Sequence, residues 1–354
     1  MKNQFFPSYT IGADAYEAIP QICLDYGKTA VIIGGEKSRK AAEPAIRSAA
    51  QGLSILGSFQ YGDDCTFENA EALTRIPEVR EADMIFAVGG GRAVDTAKIA
   101  AENLGKPVFT FPTLASNCAP VTAVCAVYHP DHTFNQVWYR SRPPYHCFIN
   151  SDVIIHGPRE YFWAGIGDAL SKQYEVLFSA RGDKTRDFSH SLGVQIAGNC
   201  SDELLAYGEE ALADFDRKTI SDAFERVVQL IICQTGIASN CLSSDYNSNL
   251  GHAIYNGHTE IPHKEKYLHG AVVVYGVLVM LTMDKQTEAR DALYQFCVHT
   301  GLPHKLSDIG ETEAGIDELA ARAECKPDLV KVPYKITKEM IKASMLDLEA
   351  LSKS

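Results

Sequence analysis

The stretch that most constrains the fold is Met84-Ile85-Phe86-Ala87-Val88 running into Gly89-Gly90-Gly91-Arg92-Ala93-Val94-Asp95-Thr96-Ala97-Lys98. Five apolar residues, three glycines and a run of small side chains read as a buried strand, a tight turn and the start of a helix. Glycines adopt positive φ and let backbone N–H groups approach a ligand closely. The partial positive charge of the following helix N-terminus favours a pyrophosphate. A strict G-x-G-x-x-G is not met, because Val94 stands where the third glycine belongs. On this stretch alone, a plain tight turn and a phosphate cradle are both open.

Two neighbouring segments favour the cradle. Ile33-Gly34-Gly35-Glu36 ends an earlier apolar run with glycines and an acid, and such an acid accepts hydrogen bonds from an adenosine ribose. Thr113, Ser116 and Thr122 follow a third apolar run that ends at Phe111. Their hydroxyls suit phosphate or amide contacts, or the capping of turns. Strands are expected at 29–33, 53–59, 83–88, 107–111, 121–128 and 145–149, with helices at 37–50, 68–75 and 93–103 between them. Strand and helix taking turns predicts a mainly parallel sheet covered on both faces.

From Pro158 onward the pattern turns helical, at about 159–179, 187–214, 221–239, 270–283, 289–300 and 337–351. The expected division is therefore an α/β dinucleotide-binding domain over 1–155 and an all-helical domain over 156–354. Two such halves meeting at a cleft form an enzyme-like layout. A length of 354 residues suits two domains, and 46% hydrophobic with 22% charged residues is ordinary globular composition. The net charge of −12, without any basic run, argues against nucleic-acid binding. No apolar stretch reaches the roughly 18 residues of a membrane span, and MKNQFFPSYTIGADAYEAIP lacks a signal peptide's apolar core. The ten cysteines form no C-x-x-C pair, as expected of reduced thiols in a cytoplasmic protein.

Four of the eleven histidines, His252, His258, His263 and His269, fall within eighteen residues. Earlier, Ala164-Gly165-Ile166-Gly167-Asp168-Ala169-Leu170-Ser171-Lys172 sets an acid in an apolar helix, where it needs a cation or several donors. One carboxylate with two imidazoles suits a divalent metal that keeps room for substrate. The plainer alternative is that these histidines cap helices or face solvent. His129, His132, His146, His156, His190, His299 and His304 show no ligand-like spacing. Asp63-Asp64 reads as a solvated loop, and Trp138 and Trp163 as packing residues.

Five ordered motifs together resemble the iron-containing alcohol dehydrogenase superfamily, in its glycerol dehydrogenase-like branch. They are the Gly-Gly-Gly turn to Asp95, Pro-Thr-x-Ala-Ser at 112–116, Gly-Ile-Gly-Asp-Ala-Leu at 165–170, His-Ala-Ile-x-Asn-Gly at 252–257, and His-Gly at 269–270. The resemblance implies a dehydroquinate synthase-like architecture, a dinucleotide-binding α/β domain followed by a helical domain. It implies a metal on Asp168, His252 and His269. It also implies an NAD site lined by Glu36, by the turn from Gly89 through Gly90, Gly91, Arg92, Ala93 and Val94 to Asp95, by Thr113, Leu114, Ala115 and Ser116, and by Thr122, Val124 and Tyr128.

Three departures narrow this. The iron-binding branch carries a fourth ligand, a histidine, where this chain has Lys172, which favours a three-ligand, zinc-like site over iron. Lys172 either pairs with Asp168 on the same helical face, which leaves open a site without metal, or contacts the substrate. Glycerol dehydrogenases place an aspartate for substrate hydroxyls where this chain has Cys118, and their Glu-Ser-Gly-Gly stretch is replaced by Ser243-Ser244-Asp245-Tyr246-Asn247-Ser248. An anion lost and a cation gained suits a 2-hydroxy or 2-oxo carboxylate, as in the hydroxycarboxylate dehydrogenase relatives. The expected activity is hydride transfer between NAD(H) and a small secondary alcohol or ketone, with Cys118 and Lys172 at the substrate. Glu36 favours NAD, while Lys37 and Arg39 leave NADP open. No general base stands out, and His258 is offered for a proton relay to solvent. The competing readings are a glycerol or vicinal-diol dehydrogenase, a dehydroquinate synthase-like cyclase, and a non-catalytic nucleotide-binding protein. A homo-oligomer without nucleic-acid or membrane partners is expected.

Overall fold

The computed structural model describes residues 4–183 and 185–353. It divides into two units, one holding the chain through Arg159 with Lys218–Val228, the other Glu160–Arg217 with Gln229–Ser354. The sequence suggests a single crossing at 155/156. The chain instead leaves the first unit after Arg159 and returns to it for Lys218–Val228. Polar contacts hold that return in place: Lys218 Nζ donates to the Ile155 carbonyl and Ser151 Oγ to Glu225, each at 2.6 Å. Helical periodicity alone does not say which half a helix packs on.

The first unit is built on strands β1 (Tyr9–Gly12), β2 (Thr29–Gly34), β3 (Ser54–Gln60), β4 (Met84–Gly89), β5 (Val108–Pro112) and β8 (His146–Asn150). All pair in parallel, in the order β1-β8-β5-β4-β2-β3. The period of two sends alternate side chains to opposite faces. Val31, Ile33, Ile85 and Ala87 join one apolar cluster, while Ala30, Ile32, Met84, Phe86 and Val88 join the other. Burial on both faces explains the unbroken apolar runs, each large side chain contributing about 1.5–3 kcal/mol.

The expected strand over 121–128 is not part of this sheet. Its core forms β6 (Val124–Tyr128), which pairs antiparallel with β7 (Phe134–Tyr139) as a separate hairpin. β7 is mostly exposed and lacks apolar alternation, so its strand character was not readable. Neither was that of β1, which is only four residues long.

Strands β2 and β4 are neighbours, yet the chain leaves them in opposite directions, to β3 and to β5. That is the topological switch point at which open α/β sheets bind ligands beyond the carboxyl ends of their strands. Gly34 aligns with Val88, so both glycine-rich turns emerge side by side there.

Among its described residues the second unit contains helices and no strand. Its frame is the long helix Arg159–Arg181, with Leu250–His258 and His269–Met283. The last is apolar and buried almost all round, as a central helix must be. The expected 187–214 helix is two, Phe188–Ala197 and Cys200–Arg217, parted at Gly198. The expected 221–239 helix contains a π-helical turn, Leu230–Gln234, ahead of Thr235–Cys241. No helix among the described residues is long and apolar enough to cross a membrane.

Candidate active site: a glycine cradle and an acid–histidine centre

The cradle belongs to the first unit. Gly89 has φ +145°, a conformation that favours glycine, and a Cβ there would sit 3.0 Å from that of Ala93. Gly90 is extended and caps the helix Gly91–Asn103, with no acidic side chain in the first turn to occupy its N–H groups. The loop after β5 closes around this end. The Thr113 N–H donates to the Gly89 carbonyl at 3.4 Å, Leu114 faces Gly90, and Asn117 faces Gly91. The Arg92 guanidinium lies over the Tyr128 ring at 4.7 Å. Asp64, expected in solvent, is instead fully buried and anchors Arg92 at 3.0 Å and His132 at 2.9 Å.

Asp95 does not face the cradle. Its carboxylate is buried against Lys98 at 2.8 Å and accepts the Ala126 N–H at 3.0 Å. Lys98, fully buried, also donates to the carbonyls of Ala119, Thr122 and Val124, at 2.9, 3.1 and 2.5 Å. This pair ties the loop carrying Thr122 and Val124 to the helix, so Asp95 shapes the cradle from beneath. The resemblance places Asp95 in the lining of the NAD site, whereas the small side chains here make room for a buried ion pair. Glu36 is exposed at the first position of helix Glu36–Ala49, just past β2. Arg39 turns from it to Ser58 and Gln60 on β3. Cys118 is half-buried at the start of a short 3₁₀ turn, in a different unit from Lys172.

The acid–histidine centre belongs to the second unit and depends on close helix packing. A Cβ on Gly270 would collide with the backbone of Ala164 and Asp168, one on Gly167 would lie 2.5 Å from the Gly270 carbonyl, and one on Gly276 would lie 2.7 Å from that of Gly251. Backbone contact at these glycines draws three helices together and sets Asp168 opposite His252 and His269. The Nε2 atoms of His269 and His252 lie 3.2 and 3.8 Å from Asp168 Oδ1. Tyr255 packs edge-on against the His269 ring at 4.2 Å.

Electrostatics couple these groups. Burial opposes ionisation of Asp168, but His269, His252 and Lys172 outweigh it and hold its carboxyl below the usual carboxylate range. Burial likewise opposes a charge on His252, but Glu175 and then Asp168 raise its pKa to about 9.

Glu175 was not anticipated. It is fully buried seven residues after Asp168, on the same helical face. Its Oε1 accepts the backbone N–H groups of Asn249 and His252 at 2.9 and 3.0 Å, and its Oε2 lies 2.5 Å from His252 Nδ1. The readable signal was a second acid at i+7 in an apolar helix.

Lys172 is 8% exposed and does not pair with Asp168. Its ammonium donates to Ser239 Oγ at 3.1 Å and Asn247 Oδ1 at 3.0 Å.

The trio fits a divalent ion. Two imidazoles bound at about 2.0–2.1 Å with a tetrahedral angle have ring centroids roughly 5 Å apart; those of His252 and His269 are 5.2 Å apart and tilted by 56°. The other histidine pair does not fit. His258 and His263 stack at 3.8 Å and 19°, with His258 Nε2 on the Ile309 carbonyl and His263 Nε2 on Glu311. His258 is buried, so the suggested relay to solvent has no support here.

Residues 7–150 match the model of the family described as iron-containing alcohol dehydrogenase. A glycerol dehydrogenase of Thermotoga maritima is 32% identical over 271 residues, 75% of this chain and 72% of its own. Hydroxycarboxylate dehydrogenase A of Escherichia coli is 28% identical, covering 91% of this chain and 89% of its own. The crystal structure of glycerol dehydrogenase from Schizosaccharomyces pombe superposes with a TM-score of 0.87 at 24% identity, covering 100% of this chain and 92% of that one. The chain belongs to the iron-containing alcohol dehydrogenase family, in its glycerol dehydrogenase-like branch, and is an oxidoreductase acting on alcohols.

Proposed function

We propose that the protein is an NAD- and metal-dependent dehydrogenase that interconverts small 2-hydroxy and 2-oxo carboxylates. The observation that carries this reading is Lys172. A buried ammonium bonded to two neutral oxygens, with no carboxylate among the described residues in ion-pair contact, has one N–H left for an anion. It stands one helical turn from Asp168, so an α-carboxylate on Lys172 and the adjacent C–O group at the trio match the reach of such a substrate.

Asp168, His252 and His269 would hold a divalent cation, zinc being favoured by a three-residue N₂O donor set, and this ion supplies Lewis acidity toward the substrate oxygen. NAD supplies the hydride acceptor. The backbone N–H groups at Gly90 and Gly91 would bind the pyrophosphate, and Glu36 would take the adenosine ribose hydroxyls. Arg39, directed to β3, offers no competing charge for a 2′-phosphate, which supports NAD over NADP. Ser239 and Asn247 would orient Lys172, and Tyr255 the His269 ring. The relative bearing the hydroxycarboxylate name supports this substrate class; the relative named glycerol dehydrogenase supports the alternative of a neutral polyol.

The test is turnover of 2-hydroxy acids, glycerol and vicinal diols by the wild-type enzyme and by Lys172→Met. Loss of one charge-assisted hydrogen bond, about 1.5–3 kcal/mol, should reduce the kcat/KM preference for hydroxy acids roughly 10–100-fold. Equal turnover of acids and neutral diols, unaltered in Lys172→Met, would refute the reading.

A further inference from the structure

We infer that Glu175, held by Asn249, is a positioning residue that fixes the tautomer of His252 and thereby its capacity to bind metal. The inference rests on the trio being a metal site. An imidazole presents a lone pair at Nε2 only when its proton sits on Nδ1. His252 Nδ1 lies 2.5 Å from Glu175 Oε2, and the other oxygen of this carboxylate already accepts two backbone N–H groups, so the side chain is set as an acceptor and a proton is kept at Nδ1. Nε2 then faces Asp168 and His269 as the atom at which a metal would take the place of a proton.

The carboxylate cannot rotate out of this role. Its other oxygen receives two backbone N–H groups, from Asn249 and from His252 itself, so ring and main chain are gripped by the same side chain. Asn249 is fully buried and immobilised in turn. Its Nδ2 donates to Ser179 Oγ and to the Lys331 carbonyl, each at 2.9 Å, and its Oδ1 caps the helix that carries His252. A Cβ on Gly251 would sit 2.9 Å from Glu175 Oε1, so a larger residue there would press on the carboxylate.

This arrangement makes Glu175→Gln an informative change despite its near-identical shape. The amide oxygen must take the place facing two backbone N–H groups, because an amide nitrogen there would meet two donors. The NH₂ group then faces Nδ1, which must become an acceptor, and the proton moves to Nε2. The metal-facing nitrogen is thereby blocked without a void or a lost contact. Removal of such a supporting partner typically weakens metal affinity about 10–100-fold.

The experiment measures zinc affinity of chelator-stripped full-length protein by competition with a chelating dye, for wild type, Glu175→Gln and His269→Ala. The expected result is one zinc per chain in the wild type and affinity lowered 10–100-fold in Glu175→Gln. Its NADH affinity by fluorescence should stay at the wild-type value. Wild-type zinc affinity in Glu175→Gln overturns this inference alone. Wild-type affinity in His269→Ala overturns the metal-site reading, and this inference with it. If Glu175→Gln does not fold, ¹⁵N-histidine spectra of the zinc-loaded wild type decide: a proton on His252 Nδ1 supports the lock, and a proton on Nε2 overturns it.

Discussion

Gly270→Ala tests whether helix approach assembles the acid–histidine centre. A Cβ there would overlap the Ala164 carbonyl oxygen most severely, and would also lie 2.7 Å from the Asp168 backbone nitrogen and 2.9 Å from the Ala164 carbonyl carbon, where ordinary contact begins near 3.4 Å. Both obstacles are helical backbone and cannot swing aside as a side chain can. Helices Arg159–Arg181 and His269–Met283 must therefore part by roughly 1–1.5 Å, at a cost of about 3 kcal/mol or more. At roughly 2–4 °C per kcal/mol, the thermal midpoint should fall by several degrees. The larger effect falls on His269, the residue before the substitution. Metal ligands need positions within about 0.2 Å, so a displacement several times greater should weaken zinc affinity at least about tenfold. Calorimetry on the metal-free protein and dye competition for zinc read the two effects separately. Gly198→Ala, whose nearest neighbour would be 3.3 Å away, a tight fit without overlap, is the control. Wild-type midpoint and wild-type zinc affinity in Gly270→Ala would show that close approach does not set the trio.

Lys98→Met should destabilise the protein by about 3–5 kcal/mol, since it leaves Asp95 buried without its partner; the urea midpoint reads this. NADH should also bind more weakly, because the loop with Thr122 and Val124 loses its anchor. His146 is buried between the hydroxyls of Ser8 and Thr10, and burial lowers its pKa to about 4. The unfolded chain takes up that proton near pH 6.5 and the folded one only near 4. Stability should thus be full above about pH 6.5 and fall by up to about 3 kcal/mol as pH drops toward 4. Urea titrations should show that slope flattened in His146→Gln. Glu36→Ala should raise the kcat/KM ratio of NADP to NAD by about tenfold, by removing the charge that repels a 2′-phosphate; an unchanged ratio would remove Glu36 from cofactor choice.

Legibility in the sequence followed the range of the forces involved. The central strands were readable because burial on both faces leaves a long apolar signature, as at Met84–Gly89. The trio was readable because an acid in an apolar helix and clustered histidines are locally anomalous. Strand β7 was not, since a hairpin closed mainly by pairing with β6 needs little apolar alternation. Asp64 and Asp95 were misjudged for a common reason. Whether an acid faces solvent, ligand or a buried cation depends on partners 28 and 3 residues away, Arg92 and Lys98, and only the second spacing is visible on a helix.

Lys172 shows where local spacing misleads even on a regular helix. Four residues from Asp168, it was expected either to neutralise that acid or to reach the substrate. A lysine's long stem leaves its ammonium free to choose among neighbours, and here Ser239 and Asn247 take two of its three N–H groups. Ser239 follows the π-helical turn and Asn247 lies in the stretch that replaces Glu-Ser-Gly-Gly, so both partners come from features no periodicity encodes. The consequence is a separation of charge. Asp168 faces the two imidazoles directly, while the Lys172 side chain, one turn away, acts on it only through space. A direct ion pair would have cancelled both charges. If the proposed hydroxycarboxylate activity holds, selectivity for an anionic alcohol would depend on the two neutral oxygens that hold the lysine aside.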